Sequence, residues 1–291
     1  MAFELMLWPI LACILMTGIN VYFGSHVLRR GVIFVDLSLA QVAALGSTMA
    51  FLFGLELTSN TAYFLSLAFA LLGAALFSLL RTTEQEIPQE AIIGIVYAVA
   101  TAATILSVSR QPEGAEHIKN LLIGSLLTVT PGMVLKTAAV YAVVGVLHWV
   151  WRDKFWQISS DSHAAIKSGV SVRWWDFLFY GSFAVVVTSS VKIFGVLLVF
   201  SLLVVPSTAA ILVASSRMSR LLFGWVLGAV VCVAGMFISF YADLPPGATI
   251  VGAFGLALIL VALLASLRRP APQKANAAGK TESRAMAAAG Q

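Results

Sequence analysis

Nine apolar runs, each about 20 residues long, dominate this sequence of 291 residues. A helix needs about 20 apolar residues to cross the hydrocarbon core of a bilayer. Backbone polar groups in lipid must be satisfied internally, which restricts spanning structures to helices and closed barrels. The runs do not alternate between apolar and polar residues as barrel strands do. The sequence therefore predicts an all-α, polytopic membrane bundle of about nine transmembrane helices. The predicted spans are roughly 5–25, 32–54, 61–80, 91–109, 133–151, 174–190, 193–214, 220–241 and 247–267.

Composition supports a single membrane domain. Hydrophobic residues make up 60% of the chain and charged residues 11%, whereas soluble domains carry about 25% charged residues. No polar block is large enough for a separate soluble domain, so residues 1–269 are predicted to form one transmembrane domain. Residues 270–291 are small, polar and Ala-rich, and we expect them to form a disordered cytoplasmic tail.

The distribution of Lys and Arg predicts the orientation of the chain. With the N-terminus outside, fourteen of the eighteen basic residues fall in inside segments and four fall outside. Cytoplasmic loops carry an excess of Lys and Arg. The sequence therefore predicts a multi-pass protein of the cell (inner) membrane, with its N-terminus outside and its C-terminus in the cytoplasm. The net charge of +5 is explained by this topology, and we expect membrane lipid and no nucleic acid as a partner.

The span 193–214 contains Pro206, with Ser207 and Thr208 directly after it. Proline removes a backbone donor and kinks a helix. Within lipid such a break is tolerated where neighbouring helices, hydroxyl groups or water satisfy the freed carbonyl. We therefore expect a kink at Pro206 and a protein-lined interior around it.

Two sequence patterns in the second half resemble the permeases of the zinc/manganese/iron ABC importer family. Residues 195–210 follow the pattern G-V-L-L-V-x-x-L-L-V-x-P-x-x-x-A, and residues 243–251 follow D-L-P-P-G-x-T-I-V. The resemblance implies the fold of a type II ABC importer permease that works as a homodimer. It also implies ATP-driven uptake of divalent zinc, manganese or iron. An extracytoplasmic metal-binding protein would deliver the ion. Pro206 is itself a candidate residue of the translocation pathway, and our hypothesis is that it acts as the fulcrum of the switch.

The second predicted span contains an ionisable residue close to its start. Asp36 lies about one turn inside it, and Gln41 follows five residues later. Ionisable residues within a membrane are costly and by default indicate function. At helical spacing Asp36 shares a face with Ser47 and with small residues, which suits close helix packing or a narrow polar pathway. One interpretation makes Asp36, Gln41 and Ser47 part of the translocation pathway; another pairs Asp36 with Arg29, Arg30 or lipid headgroups.

The family resemblance does not supply metal ligands in this span. In the second span, members of that family usually carry the pattern F-L-G-D-A-L-S-H-A-x-x-P-G, whose Asp and His form a metal-contacting gate. Here Leu37 stands in the place of the Asp and Gln41 in the place of the His, and Asp36 lies one residue early. An amide oxygen is a weaker ligand for these metals than an imidazole. A metal site is therefore not predicted, and a permease for a metal chelate or a cofactor such as a siderophore stays an alternative.

The longest polar stretch between spans runs from residue 151 to residue 175 and falls inside by charge. Asp161 can cap a short helix over residues 163–168, and Gly169 can end it. Such a helix suits docking into a groove on a cytosolic partner, although an ordinary amphipathic loop on the membrane is the alternative. The stretch also resembles the family's D-P-x-x-A-x-x-L-G-V coupling helix, which inserts into the ATP-hydrolysing subunit. The residues that this resemblance assigns to coupling are Asp161, Ala165, Lys167, Gly169 and Val170.

Residues 111–131 form the sizeable outside loop and resemble the family's L-L-F-G-x-x-L-x-V-x-P element, where an outside ligand donor would dock. The chain has no G-x-x-x-x-G-K-[ST] phosphate loop. We therefore expect no cofactor and no enzyme activity, with ATP bound and hydrolysed by a separate cytosolic subunit. A membrane enzyme or assembly scaffold outside transport is the remaining alternative.

Overall fold

The computed structural model describes residues 2–56, 59–81, 87–109 and 114–268. The described residues form α-helices joined by short turns. The predicted tail 270–291 lies outside the described residues. The α-helices are α1 (Ala2–Arg30), α2 (Val35–Leu52), α3 (Asn60–Leu79), α4 (Gln89–Val108), α5 (Gly114–Ile123), α6 (Pro131–Val150), α7 (Arg152–Ser160), α8 (Ser162–Lys167), α9 (Val172–Val213), α10 (Arg217–Ala242) and α11 (Pro246–Arg268).

Side-chain caps fix where several helices begin. The hydroxyl groups of Ser59, Thr130 and Ser216 each accept a hydrogen bond from a backbone N–H in the first turn of α3, α6 and α10. Such caps satisfy donors that have no partner inside the helix. The sequence thus sets these helix starts locally, before any packing between helices.

Eight described helices are long and apolar enough to cross a bilayer, and one of them, α9, has 42 residues. Helix α9 contains a single non-helical residue, Gly195, with φ 72° and ψ 161°. Phe183 stacks on Phe23 of α1, at a centroid distance of 4.6 Å. Ser207, 24 residues further along, donates its hydroxyl to the carbonyl oxygen of Val21 at 3.3 Å. A straight helix would separate positions 183 and 207 by about 36 Å, so α9 must turn back at Gly195.

The turn at Gly195 divides α9 into two antiparallel arms, and the bundle therefore has nine crossing segments within the described chain. This confirms the predicted all-α polytopic fold. The predicted spans 174–190 and 193–214 correspond to the two arms, although their boundary lies at residue 195. Because nine is odd, α1 starts and α11 ends at opposite ends of the bundle.

One end of the bundle, here called the basic end, is defined by Arg29, Arg30, Arg81, Arg217 and Arg220. Arg30 and Arg81 both pair with Asp176 at the start of α9. Arg29 and Arg217 both lie over the ring of Trp156 in α7. The segments that the charge rule assigned to the inside therefore meet in space, as one surface must if it faces the cytoplasm.

The opposite end is held by three glycines that we call the glycine junction: Gly124, Gly195 and Gly247. A Cβ atom on Gly195 would overlap the backbone of Leu122 and Ile123, and one on Gly124 would overlap the backbone of Gly195 itself. A Cβ atom on Gly247 would lie 2.7 Å from the carbonyl oxygen of Ile123. The segment after α5, the tip of α9 and the start of α11 can therefore approach only because these positions lack side chains.

Pro206 does not interrupt the helical torsion angles of α9, and the reversal lies near the predicted boundary between the spans 174–190 and 193–214. The non-helical torsion angles of α9 lie at Gly195, and residues around Pro206 keep helical values. The Ser207 hydroxyl donates to Val21 of α1 and not to a carbonyl freed by Pro206 within its own helix. The reversal is at Gly195 because a left-handed φ is open to glycine and not to proline.

Candidate functional site

The predicted pathway residues of α2 are buried within one chain. Asp36 is fully buried, and Gln41 and Ser47 are 7% and 6% exposed. Helix α2 packs against α3, α4 and α9. The Ser66 hydroxyl of α3 donates to the carbonyl oxygen of Ala43 at 2.7 Å, which fixes one side of α2. The structure brings Asp36, Gln41 and Ser47 onto one helix.

Pro206 lies elsewhere, in the second arm of α9. Its carbonyl oxygen would lie 3.2 Å from a Cβ atom added to Gly224, and its Cγ 3.3 Å from one added to Gly228. Pro206 therefore packs closely on α10. The pathway residues predicted from the sequence thus occupy two different interfaces, and the fulcrum role of Pro206 stays a prediction.

Both carboxylate oxygens of Asp36 are buried without a hydrogen-bond partner in the described part of the chain. The sequence alternative that pairs Asp36 with a neighbouring arginine is wrong, since Arg30 pairs with Asp176 at 2.7 Å and Arg29 lies over Trp156. Asp36 does lie in the first turn of α2, where the helix dipole favours a negative charge. An unpaired buried carboxylate is costly to maintain, which indicates a function beyond packing.

Glu90 has a structural role that the sequence did not reveal. In the sequence, Glu84, Glu86 and Glu90 form an acidic cluster before the fourth span, a pattern typical of a solvated linker. The carboxylate of Glu90 nevertheless accepts a hydrogen bond from the backbone N–H of Phe34 at 2.9 Å. Glu84 and Glu86 lie outside the described residues. Glu90 thus joins the start of α4 to the start of α2. The sequence around either residue does not predict this contact, because the two lie 56 positions apart.

The predicted coupling segment forms two short helices at the basic end, α7 and α8. The Asp161 carboxylate accepts a hydrogen bond from the backbone N–H of Ala164 at 2.9 Å, as predicted for the cap. Gly169, with φ 78°, ends the helix, and the N–H of Val170 donates to the carbonyl oxygen of Ala165 at 3.1 Å. The local structure predicted for this segment is therefore confirmed.

The predicted coupling residues divide into anchors and exposed positions. Ala165 is fully buried and packs with Ile158 and Val172. Val170 is half-buried against the same small cluster, while Asp161, Lys167 and Gly169 are exposed. A helix anchored on one side and exposed on the other can present a surface to a partner. Coupling itself stays a prediction.

A buried polar network, here called the Asp176 network, joins α7 to the membrane helices. The Ser159 hydroxyl of α7 accepts a hydrogen bond from Arg30 Nε at 2.8 Å. Arg30 Nη1 donates to Asp176 Oδ1 at 2.7 Å, and Arg81 pairs with the other carboxylate oxygen. The side chain of Asp176 is fully buried and those of Arg30 and Arg81 are 4% and 13% exposed. Desolvation by burial lowers the pKa of Arg81.

Sequence reasoning missed the Asp176 network. Asp176 is an ionisable residue inside the predicted span 174–190, which was the available signal. His26 and His148 lie at the ends of predicted spans, a position that favours contact with lipid headgroups, but the structure buries both. His26 is fully buried and lies 2.8 Å from the Ser159 hydroxyl through Nδ1. His148 is 2% exposed and lies 2.7 Å from the Ser182 hydroxyl through Nε2.

The described residues contain no group of three or more His, Cys, Asp or Glu side chains placed to hold a metal ion. Within the described part of α2, Asp36 is the buried carboxylate left without a hydrogen-bond partner.

Comparisons with known proteins agree with this architecture. The chain is 27% identical over 266 residues to a protein of Haemophilus influenzae named "Probable iron transport system membrane protein", a match that covers 91% of each chain. It is 22% identical over 228 residues to the manganese transport system membrane protein MntC of Listeria innocua, with 78% of this chain and 79% of that protein covered.

Among solved structures, a chain of PsaBC from Streptococcus pneumoniae in complex with Fab superposes with a TM-score of 0.74 at 21% identity. The match covers 89% of this chain and 91% of that one, and it shows that the fold is shared. The sequence profile of the ABC 3 transport family matches residues 2–266. The protein is thus a multi-pass membrane component of an ABC transporter and belongs to the ABC 3 transport family.

Proposed function

We propose that this protein is the permease subunit of an ATP-driven importer for divalent metal ions. The observation that carries the proposal is Asp36, a carboxylate buried inside a membrane span without a partner in the described residues. Membership of the family and the iron and manganese transport named for its relatives support a metal as cargo. A passing cation would supply the positive partner that the Asp36 carboxylate lacks among the described residues.

The proposed assembly contains two copies of this chain, two cytosolic ATP-binding subunits and an extracytoplasmic metal-binding protein. In the proposed orientation the N-terminus lies outside and the C-terminus in the cytoplasm. The arginines gathered at the basic end support this orientation. ATP binding would move α8, and the Asp176 network would transmit this movement from α7 to α1 and α9. The continuous hydrogen bonds from Ser159 through Arg30 to Asp176 support this route of transmission.

The test is uptake by proteoliposomes that contain the permease and its ATP-binding subunit, with the extracytoplasmic metal-binding protein added on the side from which the cargo is supplied. The cargoes tested are Mn²⁺, Fe²⁺, Zn²⁺ and a ferric chelate. ATP-dependent uptake of one divalent ion is the expected result. Uptake of the chelate alone would favour the chelate permease, and no uptake with no stimulation of ATP hydrolysis would overturn the proposal.

In the same assay, Asp36→Asn should lower uptake by about tenfold or more, because an amide keeps the size of the side chain but removes its charge. Assembly of the complex should be unchanged. Glu90→Gln is the matched control, since an amide oxygen can still accept from the Phe34 N–H. Wild-type uptake by an assembled Asp36→Asn complex would remove Asp36 from the mechanism.

A further inference from the structure

A cavity of about 250 Å³ lies at the basic end, between α1, α7, the end of α9 and the start of α10. The proposed transport cycle does not use it. Three arginines, one tryptophan and two aliphatic side chains form most of its wall: Leu28, Arg29, Trp156, Ile211, Arg217 and Arg220.

The cavity gathers positive charge without a counter-ion from the described residues. The guanidinium groups of Arg29 and Arg217 lie 5.1 Å and 4.8 Å from the centroid of the same Trp156 ring. Arg220 Nε donates to the carbonyl oxygen of Ala214 at 2.9 Å, which fixes that side chain beside them. In the part of the chain that the structure describes, none of the three forms an ion pair with a carboxylate.

Three cations around one cavity repel each other unless an anion neutralises them. The first turn of α10 begins at Arg217, and its free N–H groups add positive potential at the same place. Arginine also binds phosphate oxygens in a bidentate manner. The chemistry of this cavity therefore favours a phosphate group.

The position of the cavity favours a lipid as the source of that phosphate. Arg29 stands near the end of the α1 span and Arg217 begins the α10 span, so the cavity lies where the spans meet the membrane surface. Ile211 in its wall is 42% exposed, and Met218 and Leu222 on α10 are 66% and 52% exposed. These apolar side chains place the mouth of the cavity beside lipid tails.

A neighbouring cavity shares Trp156 and Arg217 but is also lined by Asp153 and Asp161. Its carboxylates would repel an anion, which leaves the three-arginine cavity as the better site. We propose that this cavity binds the phosphate headgroup of an anionic phospholipid. Because Trp156 belongs to α7, the bound lipid would also hold α7 against α1 and α10. Basic pockets between membrane helices bind anionic headgroups in this way.

The experiment is native mass spectrometry of the full chain in detergent with added phosphatidylglycerol or phosphatidylcholine. The wild-type protein should retain phosphatidylglycerol about tenfold more tightly than phosphatidylcholine. The double variant Arg217→Gln/Arg220→Gln should bind phosphatidylglycerol about 30-fold more weakly, since each arginine near the membrane surface contributes about 1 kcal/mol. Thermal unfolding with each lipid gives a second readout.

The control is Arg152→Gln/Lys154→Gln, which removes the same charge from exposed positions at the same end of the bundle. It should bind phosphatidylglycerol as the wild type does. Equal binding of both lipids by the wild type, or equal loss in both double variants, would overturn the proposal. So would stabilisation by millimolar inorganic phosphate equal to that by phosphatidylglycerol, which would identify a soluble anion. A cavity variant that keeps phosphatidylglycerol but loses the ATP-binding subunit would assign the arginines to protein docking instead.

Discussion

Asp176→Asn should destabilise the folded protein by about 3–5 kcal/mol, because it leaves two buried guanidinium groups facing a neutral amide. The side chains of Asp176, Arg30 and Arg81 are 0%, 4% and 13% exposed, so water cannot replace the lost carboxylate. The substitution preserves size and therefore tests charge and not packing. Unfolding by sodium dodecyl sulfate in mixed micelles, followed by circular dichroism, measures the change.

Asp153→Asn is the matched control. Asp153 is 96% exposed and lies 3.9 Å from Arg152, and exposed pairs of this kind contribute little. The Asp153→Asn variant should unfold at the same sodium dodecyl sulfate concentration as the wild type. If Asp176→Asn also did so, the Asp176 network would not stabilise the bundle and could not hold α7 rigidly to α1 and α9.

Gly195→Ala should cost about 2–6 kcal/mol and prevent most of the protein from accumulating in the membrane. One part of the cost is backbone strain, about 1–3 kcal/mol, since the φ of 72° and ψ of 161° at Gly195 belong to a region that is essentially restricted to glycine. The other part is overpacking, about 1–3 kcal/mol, because the new methyl group would overlap the backbone of Leu122 and Ile123. Yield of monodisperse protein and the same micelle unfolding measure the effect.

Gly54→Ala separates the two contributions. Gly54 also has φ 72°, but a Cβ atom there would meet nothing within 4 Å. The free energy of unfolding of the Gly54→Ala variant should fall by only about 1–2 kcal/mol, because alanine disfavours the left-handed conformation. Equal losses at positions 54 and 195 would mean that the glycine junction does not require close backbone contact.

The parts of this structure that depend on nearby residues were predictable from the sequence. Apolar runs of bilayer length indicated the crossing segments, and the Asp161 cap and the Gly169 stop follow from residues within one turn of the helix. The charge asymmetry also grouped the segments that the structure gathers at the basic end. These features needed no knowledge of which helices are neighbours.

The contacts between distant segments were not predictable in this way. Arg30 and Asp176 are separated by 146 positions, and His26 and Ser159 by 133. A hydropathy pattern shows that a residue lies near a span end but not whether a partner helix covers it. For that reason the sequence revealed neither the burial of His26 and His148 nor the partners of Glu90 and Asp176.

The local pattern divided α9 into two predicted spans, but it did not show what makes the reversal between them possible. Proline is the usual signal for a kink, and Pro206 drew that prediction. The reversal depends on the close approach of Gly195 to Gly124. The sequence separates these two residues by α6, the coupling segment and the first arm of α9. Both glycines lie in the patterns that resemble the importer family, and the junction gives those patterns a physical reason.

The proposed mechanism requires α8 to face the cytoplasm and to contact a separate ATP-hydrolysing subunit. Lys167→Cys and Asp243→Cys, each made in a Cys13→Ala/Cys232→Ala background, introduce one thiol at exposed positions at opposite ends of the bundle. In intact cells a membrane-impermeant maleimide should label the cysteine at position 243 and not the one at 167. The cysteine at position 167 should instead cross-link to the ATP-binding subunit. Labelling of position 167 from outside would contradict the account.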